Sequence, residues 1–206
     1  MKTLLLIAAA VVVLALVGML VFVYVIQNVE QPDYVLVQRD GDVEVRDYPA
    51  LTVAMVRRTG DRRDALSAGF GPLARYIFAK ERGGEKIAMT APVIQQPDAP
   101  PDSGAASAGD WTVGFIMPKA ATERGLPDPA SKDVRLIELP PRRVAAVRFS
   151  GRTTDARTEA QRQRLADWID ARGLRITSEP VYAYYNDPFT PGPLRRNEVM
   201  YDIARD

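Results

Sequence analysis

The stretch Val43-Glu-Val-Arg-Asp-Tyr-Pro-Ala-Leu-Thr-Val-Ala-Met-Val-Arg-Arg-Thr-Gly60 occurs twice in relaxed form. Displaced by 91 positions, it lies without a gap over Val134-Arg-Leu-Ile-Glu-Leu-Pro-Pro-Arg-Arg-Val-Ala-Ala-Val-Arg-Phe-Ser-Gly151. Val43, Pro49, Val53, Ala54, Val56, Arg57 and Gly60 meet Val134, Pro140, Val144, Ala145, Val147, Arg148 and Gly151. Each copy reads as strand, proline break, strand and glycine, since alternation marks a half-buried strand and proline removes a ladder donor. Asp64-Ala65 and Asp155-Ala156 extend the match to the start of a helical pattern in each copy. The period exceeds that of solenoid repeats, about 20–50 residues. It predicts one domain with two-fold pseudo-symmetry, its repeats covering about residues 34–118 and 132–206.

Outward from the repeat, Tyr34-Val35-Leu36-Val37 and Val43-Glu44-Val45-Arg46 flank an Asp40-Gly41 turn signal and read as a hairpin. Asp61 to Lys80 reads as a helix whose apolar positions Leu66, Phe70, Leu73, Ala74 and Ile77 share one face. Gly69, Gly71 and Pro72 predict a weakened or kinked middle, and Gly83-Gly84 an end. Lys86-Ile-Ala-Met-Thr-Ala-Pro-Val93 reads as a strand halted by Pro92, and Gln95 to Asp110 as a mobile surface loop. Trp111 to Met117 alternates as a strand, and Ala120 to Ser131 is a loop. A second helix over Asp155 to Arg172 buries Ala160, Leu165, Trp168 and Ile169. Arg175–Thr177, Val181–Tyr185 and Glu198–Ile203 are strand candidates. Short connections favour antiparallel pairing, so a curved sheet or barrel with two packed helices is expected, with room for a ligand between the halves.

Leu4 to Ile26 is an unbroken apolar run of 23 residues. As a helix it is about 34 Å long, enough for a hydrocarbon core of roughly 30 Å. Residues 1–27 therefore read as an uncleaved anchor. Lys2 lies on one side of the run and Glu30 and Asp33 on the other. The N-terminus is expected in the cytoplasm of a cytoplasmic (inner) membrane, and the domain on its periplasmic or extracytoplasmic side. Lys2 is the only charged residue before position 28, which leaves 26 basic against 26 acidic residues for the remainder. That balance argues against nucleic acid as a partner. The chain has no His and no Cys, which excludes zinc on those ligands, a Ser-His-Asp triad, a catalytic thiol and a disulfide. No phosphate-binding loop, dinucleotide fingerprint or EF-hand is present.

From residue 33 to 206 the chain resembles the SOUL, or heme-binding protein, family. The resemblance rests on Val43-Glu-Val-Arg-Asp-Tyr-Pro49, Phe70-x-x-Leu73-x-x-Tyr76-Ile77, Lys86-Ile-Ala-Met-Thr-Ala-Pro-Val93 and Trp111-Thr-Val-Gly-Phe-Ile-Met-Pro118. It continues through Phe149-Ser-Gly151, Asp187-Pro188 and Arg195-Arg-Asn-Glu-Val199. It implies an α+β fold in which a duplicated β-α-β-β unit forms a distorted antiparallel β-barrel with two packed helices, as in bacterial effector-binding domains. Here a transmembrane helix would precede it. The resemblance also implies non-enzymatic binding of heme or another tetrapyrrole. The alternatives are a domain for a different hydrophobic small molecule, or an enzyme that modifies its ligand.

It further implies that the tetrapyrrole lies against the first helix and the loop from Asp187 to Leu194. Phe70, Leu73, Ala74 and Ile77 would offer apolar surface to the ring, and Arg75 a cation to a propionate. Core packing is the competing role of Leu73 and Ile77, and a solvated helix face that of Arg75. Some family members are thought to use a His ligand to iron, which this chain lacks. Met or Tyr can ligate heme iron, so Met89, Met117, Met55 and Tyr76 are formal candidates, although Met89 and Met117 suit a pocket wall better. The expected ligand is small, hydrophobic and anionic. Arg195-Arg196-Asn197-Glu198 could grip an anion, but a salt-bridged start to the last strand is favoured.

Overall fold

The computed structural model describes residues 29–98 and 109–205, together with the isolated helical positions 13, 14 and 18. The anchor expected over Leu4 to Ile26 lies outside the described residues, apart from those three positions, as do residues 99–108 of the expected loop. Among the described residues no helix is long and apolar enough to cross a membrane. The elements run β1 (Val35–Asp40), β2 (Val43–Tyr48), β3 (Leu51–Thr59), α1 (Arg62–Ile77), β4 (Val93–Pro97) and β5 (Asp110–Ile116). They continue α2 (Lys119–Arg124), β6 (Arg135–Leu139), β7 (Arg142–Phe149), α3 (Asp155–Asp170), β8 (Val181–Tyr184) and β9 (Asn197–Ile203). The fold is α+β, with one antiparallel sheet of nine strands in the order β1-β2-β7-β9-β8-β4-β5-β3-β6.

That order carries the two-fold symmetry of the sequence. Each half contributes three strands of its own, β3-β5-β4 or β7-β9-β8, and the two halves join where β4 pairs with β8, Ile94 opposite Ala183. The leading strand of each repeat crosses over: β2 pairs with β7, and β6 with β3. Displaced by 91 residues the two crossings have one register, with Val43 opposite Val147 and Leu51 opposite Leu139. The prolines explain the crossing. A two-residue hairpin needs φ > 0 at its tip, whereas Pro49 and Pro140 fix a negative φ and hold the preceding residue extended. The chain therefore runs straight on to the other half instead of folding back.

Two expectations are corrected here. The repeating unit is β-β-α-β-β, one strand more than β-α-β-β, because the crossing strand belongs to it. The barrel is not closed: β1 and β6 are the two ends of the sheet order and do not pair with each other. β1 has no counterpart in the second repeat, is exposed along its whole length, and pairs with β2 through a register shift between Leu36 and Gln38. It ends the sheet as a bulged edge.

α1 packs on β3 and β5, and α3 on β7 and β9. Each helix covers the outer face of its own half with one apolar cluster. A third cluster comes from strands alone, joining Val53, Met55 and Ile94 of one half to Val144, Ala146 and Met200 of the other. The sheet thus curls so that the helix-free faces of its two halves pack on each other, while its edges stay apart. In α3, Leu165 and Ile169 are buried while Ala160 is exposed, so the buried stripe is narrower than expected. The segment around Pro92 is also corrected. β4 begins after Pro92 rather than ending at it, and Gln95, read as loop, is wholly buried in the strand. A short helix, α2, replaces the start of the loop expected from Ala120.

α1 runs through Gly69, Gly71 and Pro72 as one helix. Pro72 has no N–H for the carbonyl of Ala68, and Arg58 Nε donates to that carbonyl at 3.3 Å instead. Gly69 faces the sheet, where a Cβ would stand 2.7 Å from Cβ of Val113. Gly71 faces outward, 3.5 Å from the Arg75 guanidinium by the same measure. Gly69→Ala will therefore lose stability, since overpacking of about 1–3 kcal/mol outweighs the helix propensity gained, about 1 kcal/mol. Gly71→Ala will gain from propensity alone. Thermal unfolding of both variants checks this, and a fall in Tm for Gly71→Ala equal to that for Gly69→Ala would contradict it.

Candidate functional site

One flank of α1, beside its buried stripe, carries Phe70 and Ala74, with Phe78 following directly after the helix at the same spacing of four. Positions four apart lie above one another on a helix. Phe70 is 40% exposed and Phe78 39%, although neither is needed to fill the core. Phe70 is held in place by edge contact with Phe115, ring centroids 5.2 Å apart. Over eight residues the stripe is about 12 Å long, comparable with the width of a tetrapyrrole ring. Arg75 borders it and pairs with Glu81 at 2.5 Å, both side chains being close to half exposed. Such a pair is weakly held and can be exchanged for a ligand carboxylate.

The other expected site residues lie elsewhere. Leu73 and Ile77 point into the sheet and are buried with Ala54, Val56 and Val113. Met117 is buried in the same cluster, and Met89 packs partly buried at its margin. Met55 belongs to the strand-only cluster. Tyr76 is buried and its hydroxyl donates to the Pro127 carbonyl at 2.8 Å; burial raises its pKa. The stripe thus offers ring-stacking surface and a cation, but neither thioether nor phenol faces it from among these candidates. Phe78 continues the spacing of Phe70 and Ala74 but lies beyond Ile77, the last apolar position that marked the helix in the sequence.

The loop from Asp187 to Leu194 is built on the second half. The Asp187 carboxylate accepts from the Phe189 N–H (2.7 Å), the Thr190 N–H (3.1 Å) and the Thr190 hydroxyl (2.6 Å). Burial acts to raise its pKa, but these donors keep it below the usual aspartate range. Gly151 N–H donates to the Gly192 carbonyl at 2.9 Å, and Arg195 donates to the carbonyls of Thr190 and Pro188. Phe189 is left 87% exposed. The loop is thus tied beside the start of α3, whereas the α1 stripe rides on the first half.

On the inner face of the second half Glu198 is fully buried and ion-paired with Arg46 at 2.7 Å and Arg196 at 2.7 Å. Asn197 Nδ2 donates to the Gly151 carbonyl at 3.0 Å. Arg195-Arg196-Asn197-Glu198 therefore starts the last strand and holds its neighbours. Two open clefts remain. One, about 360 Å³, opens between the segment from Glu30 to Asp33 and α2; Glu30, Asp33, Glu123 and Glu138 outnumber Lys119 on its walls, a charge balance that disfavours a carboxylate ligand. The other, about 310 Å³, lies on the inner face of the first half, with Arg57, Lys132 and Arg135 at its mouth. Among the described residues no group of three or more acidic side chains is placed to hold a metal ion.

This architecture, two pseudo-symmetric halves joined along a central strand pair, recurs in solved structures of low sequence identity. It superposes on the C-terminal domain of EcmrR with a TM-score of 0.60 at 12% identity, covering 80% of this chain and 98% of that domain. The chain spans 57% of the EcmrR chain in its complex with DNA. A hydrolase from Listeria innocua superposes with a TM-score of 0.52 at 15% identity, covering 82% of this chain and 94% of that one. Sequence narrows the assignment: residues 29–202 match the SOUL heme-binding protein family, and the chain belongs to it. It is 30% identical to human heme-binding protein 2 over 169 residues, 81% of this chain and 80% of that protein, and 28% identical to the mouse protein over the same length.

Proposed function

We propose that the domain binds heme or another tetrapyrrole without catalysis, on the exposed flank of α1 around Phe70. The ring lies against Phe70, Ala74 and Phe78, and Arg75 meets a propionate. The exposed aromatic stripe carries this reading, together with the membership of a heme-binding family and the names of its human and mouse relatives. When bound, the macrocycle brings the apolar surface and its own iron chemistry. The protein's part is to shield one face of the ring and to fix a carboxylate. With no His or Cys in the chain, and Tyr76 and Met117 buried, the binding energy comes from contact and charge rather than from iron. The apolar run from Leu4 to Ile26 supports display of the domain at the extracytoplasmic face of a membrane.

Titration of the full chain with hemin and with protoporphyrin tests this. Comparable affinities are expected. Phe70→Glu, at an exposed position, will weaken both about tenfold or more, the equivalent of roughly 1.4 kcal/mol. A strong preference for hemin with a sharp six-coordinate Soret band would contradict binding that is indifferent to iron. Steady loss of that band on incubation with a reductant would contradict the absence of catalysis.

A further inference from the structure

The two halves of the inner face are built on the same strand positions and filled differently. In the second half Arg148 lies opposite Glu198, Ala146 opposite Glu44, and Val144 opposite Arg46. The equivalent pairs of the first half are Arg57 opposite Thr112, Met55 opposite Arg135, and Val53 opposite Ile137. Where the second half places Glu44, Arg46 and Glu198, the first places Arg135, Ile137 and Thr112. In the second half these positions are therefore filled by buried ion pairs, Arg46 with Glu44 and with Glu198, each at 2.7 Å. The first half has no long side chain in either central position, and a cleft of about 310 Å³ remains.

The chemistry of the cleft follows from the same exchange. Thr112 stands where Glu198 supplies a carboxylate, and Arg135 where Glu44 supplies another. The cations Arg57, Arg58, Lys132 and Arg135 line the opening against Asp98 and Asp133. Arg57 pairs with Asp98 at 2.8 Å and Arg58 with Asp133 at 3.2 Å. Among the described residues Lys132 and Arg135 have no carboxylate partner, which leaves an excess of two positive charges. Met55 and Ile137 provide an apolar floor, and Gln96 and Thr112 provide hydrogen-bonding groups on the wall.

We propose that this cleft is a second binding site, separate from the α1 stripe, for a small organic anion with an apolar body. The anionic group of the ligand takes the place that the Glu198 carboxylate holds in the other half, and its body lies on Met55 and Ile137. An aromatic or short aliphatic carboxylate fits the volume and the charge. A cationic ligand does not.

Equilibrium dialysis of the full chain against naphthoate and against uncharged naphthylmethanol tests the site. Saturable binding of naphthoate is expected, weakening as salt is raised, with naphthylmethanol bound at least about tenfold less tightly. Arg135→Glu, at an exposed position, restores the residue of the second half and will weaken naphthoate about tenfold or more while hemin titration stays unchanged. Thr112→Glu will fill the cleft from within and have the same effect, with unchanged circular dichroism as the check on its folding. Equal affinity for naphthoate and naphthylmethanol, or naphthoate binding untouched by Arg135→Glu, overturns the proposal. A parallel loss of hemin binding in Arg135→Glu also overturns it, because cleft and tetrapyrrole surface would then be one site.

Discussion

Glu198→Gln will destabilise the domain by about 3–5 kcal/mol, the cost of breaking one partner out of a buried ion pair. Glu198 and Arg46 are each only 1% exposed. The carboxylate accepts from Arg46 Nη1 at 2.7 Å and Nη2 at 3.0 Å, from Arg196 Nη2 at 2.7 Å and from the Tyr185 hydroxyl at 2.9 Å. Glutamine keeps the shape but removes the charge, so Arg46 is left with Glu44 alone and Arg196 loses its carboxylate partner. Against a total stability of about 5–15 kcal/mol the loss is large. Urea denaturation should show a lower midpoint with an unchanged slope. A midpoint shift worth less than about 1 kcal/mol, the size of a surface pair, would deny the network its structural role.

The same residue gives a pH signature. Burial alone would raise the Glu198 pKa, but hydrogen bonds and charge from Arg46, with Arg196, outweigh it and hold the carboxyl below its usual range. A depressed folded-state pKa means that the contribution is complete above the unfolded value and is lost as pH falls through the folded one. Stability of the parent will therefore fall on the acid side of the ordinary glutamate range. The Glu198→Gln variant lacks that titration, so its acid limb will be shallower.

Much of the sheet was legible because the repeat fixed a register. Once Val43 is laid over Val134, the pairing of β2 with β7 and that of β6 with β3 are one pattern seen twice. The helices followed from apolar spacing, with starts marked by Asp61 and Asp155; the structure caps the second at Thr154, one residue earlier. Alternation tells which residues share a face, but not which face receives a helix. Leu73 and Phe70 both belonged to one apolar set in the sequence, and only packing against Val113 and Phe115 separated a buried residue from an exposed one. The strand after Pro92 was missed because Gln95-Gln96 reads as polar. In the structure Gln95 is buried with both ends of its amide bonded, to the Arg62 carbonyl and the Tyr184 hydroxyl. The ion pair of Arg46 with Glu198 joins residues 152 positions apart, each within an ordinary alternating strand. Nothing local marks either as buried.

Arg62 is the second residue whose loss will be felt across the whole domain, because it ties both halves together at the pseudo-two-fold axis. It sits in the first turn of α1, yet its guanidinium reaches the start of α3, donating to Asp155 Oδ1 and the Thr153 carbonyl, each at 2.7 Å. A third arm donates to the Tyr184 hydroxyl at 2.7 Å, and the Arg62 carbonyl accepts from Gln95 Nε2 at 2.6 Å. Those last two residues lie on the paired central strands β8 and β4. Burial opposes the charge on Arg62, but Tyr184 and Asp155 more than compensate and raise its pKa. The Asp155 side chain is 70% exposed, so its pairing counts as a surface contact. The larger loss comes from leaving the Thr153 carbonyl without this donor, about 1–3 kcal/mol, and from removing the charged donor to Tyr184, whose hydroxyl keeps only its bond to Gln95. Arg62→Met will therefore cost about 2–4 kcal/mol, and Arg62→Lys nearly as much, because an ammonium cannot serve three directions in a plane. The lost contacts lie between the halves rather than within either, so the halves should cease to unfold together. The chain has two tryptophans in different places: Trp168 lies on α3 of the second half, whereas Trp111 of β5 packs on Tyr182 of β8 and so reports the seam between the halves. In single-tryptophan backgrounds the two urea transitions will coincide for the parent and separate for Arg62→Met. Coincident transitions in the variant, at an unchanged midpoint, would place the coupling of the halves in the β4–β8 pairing alone.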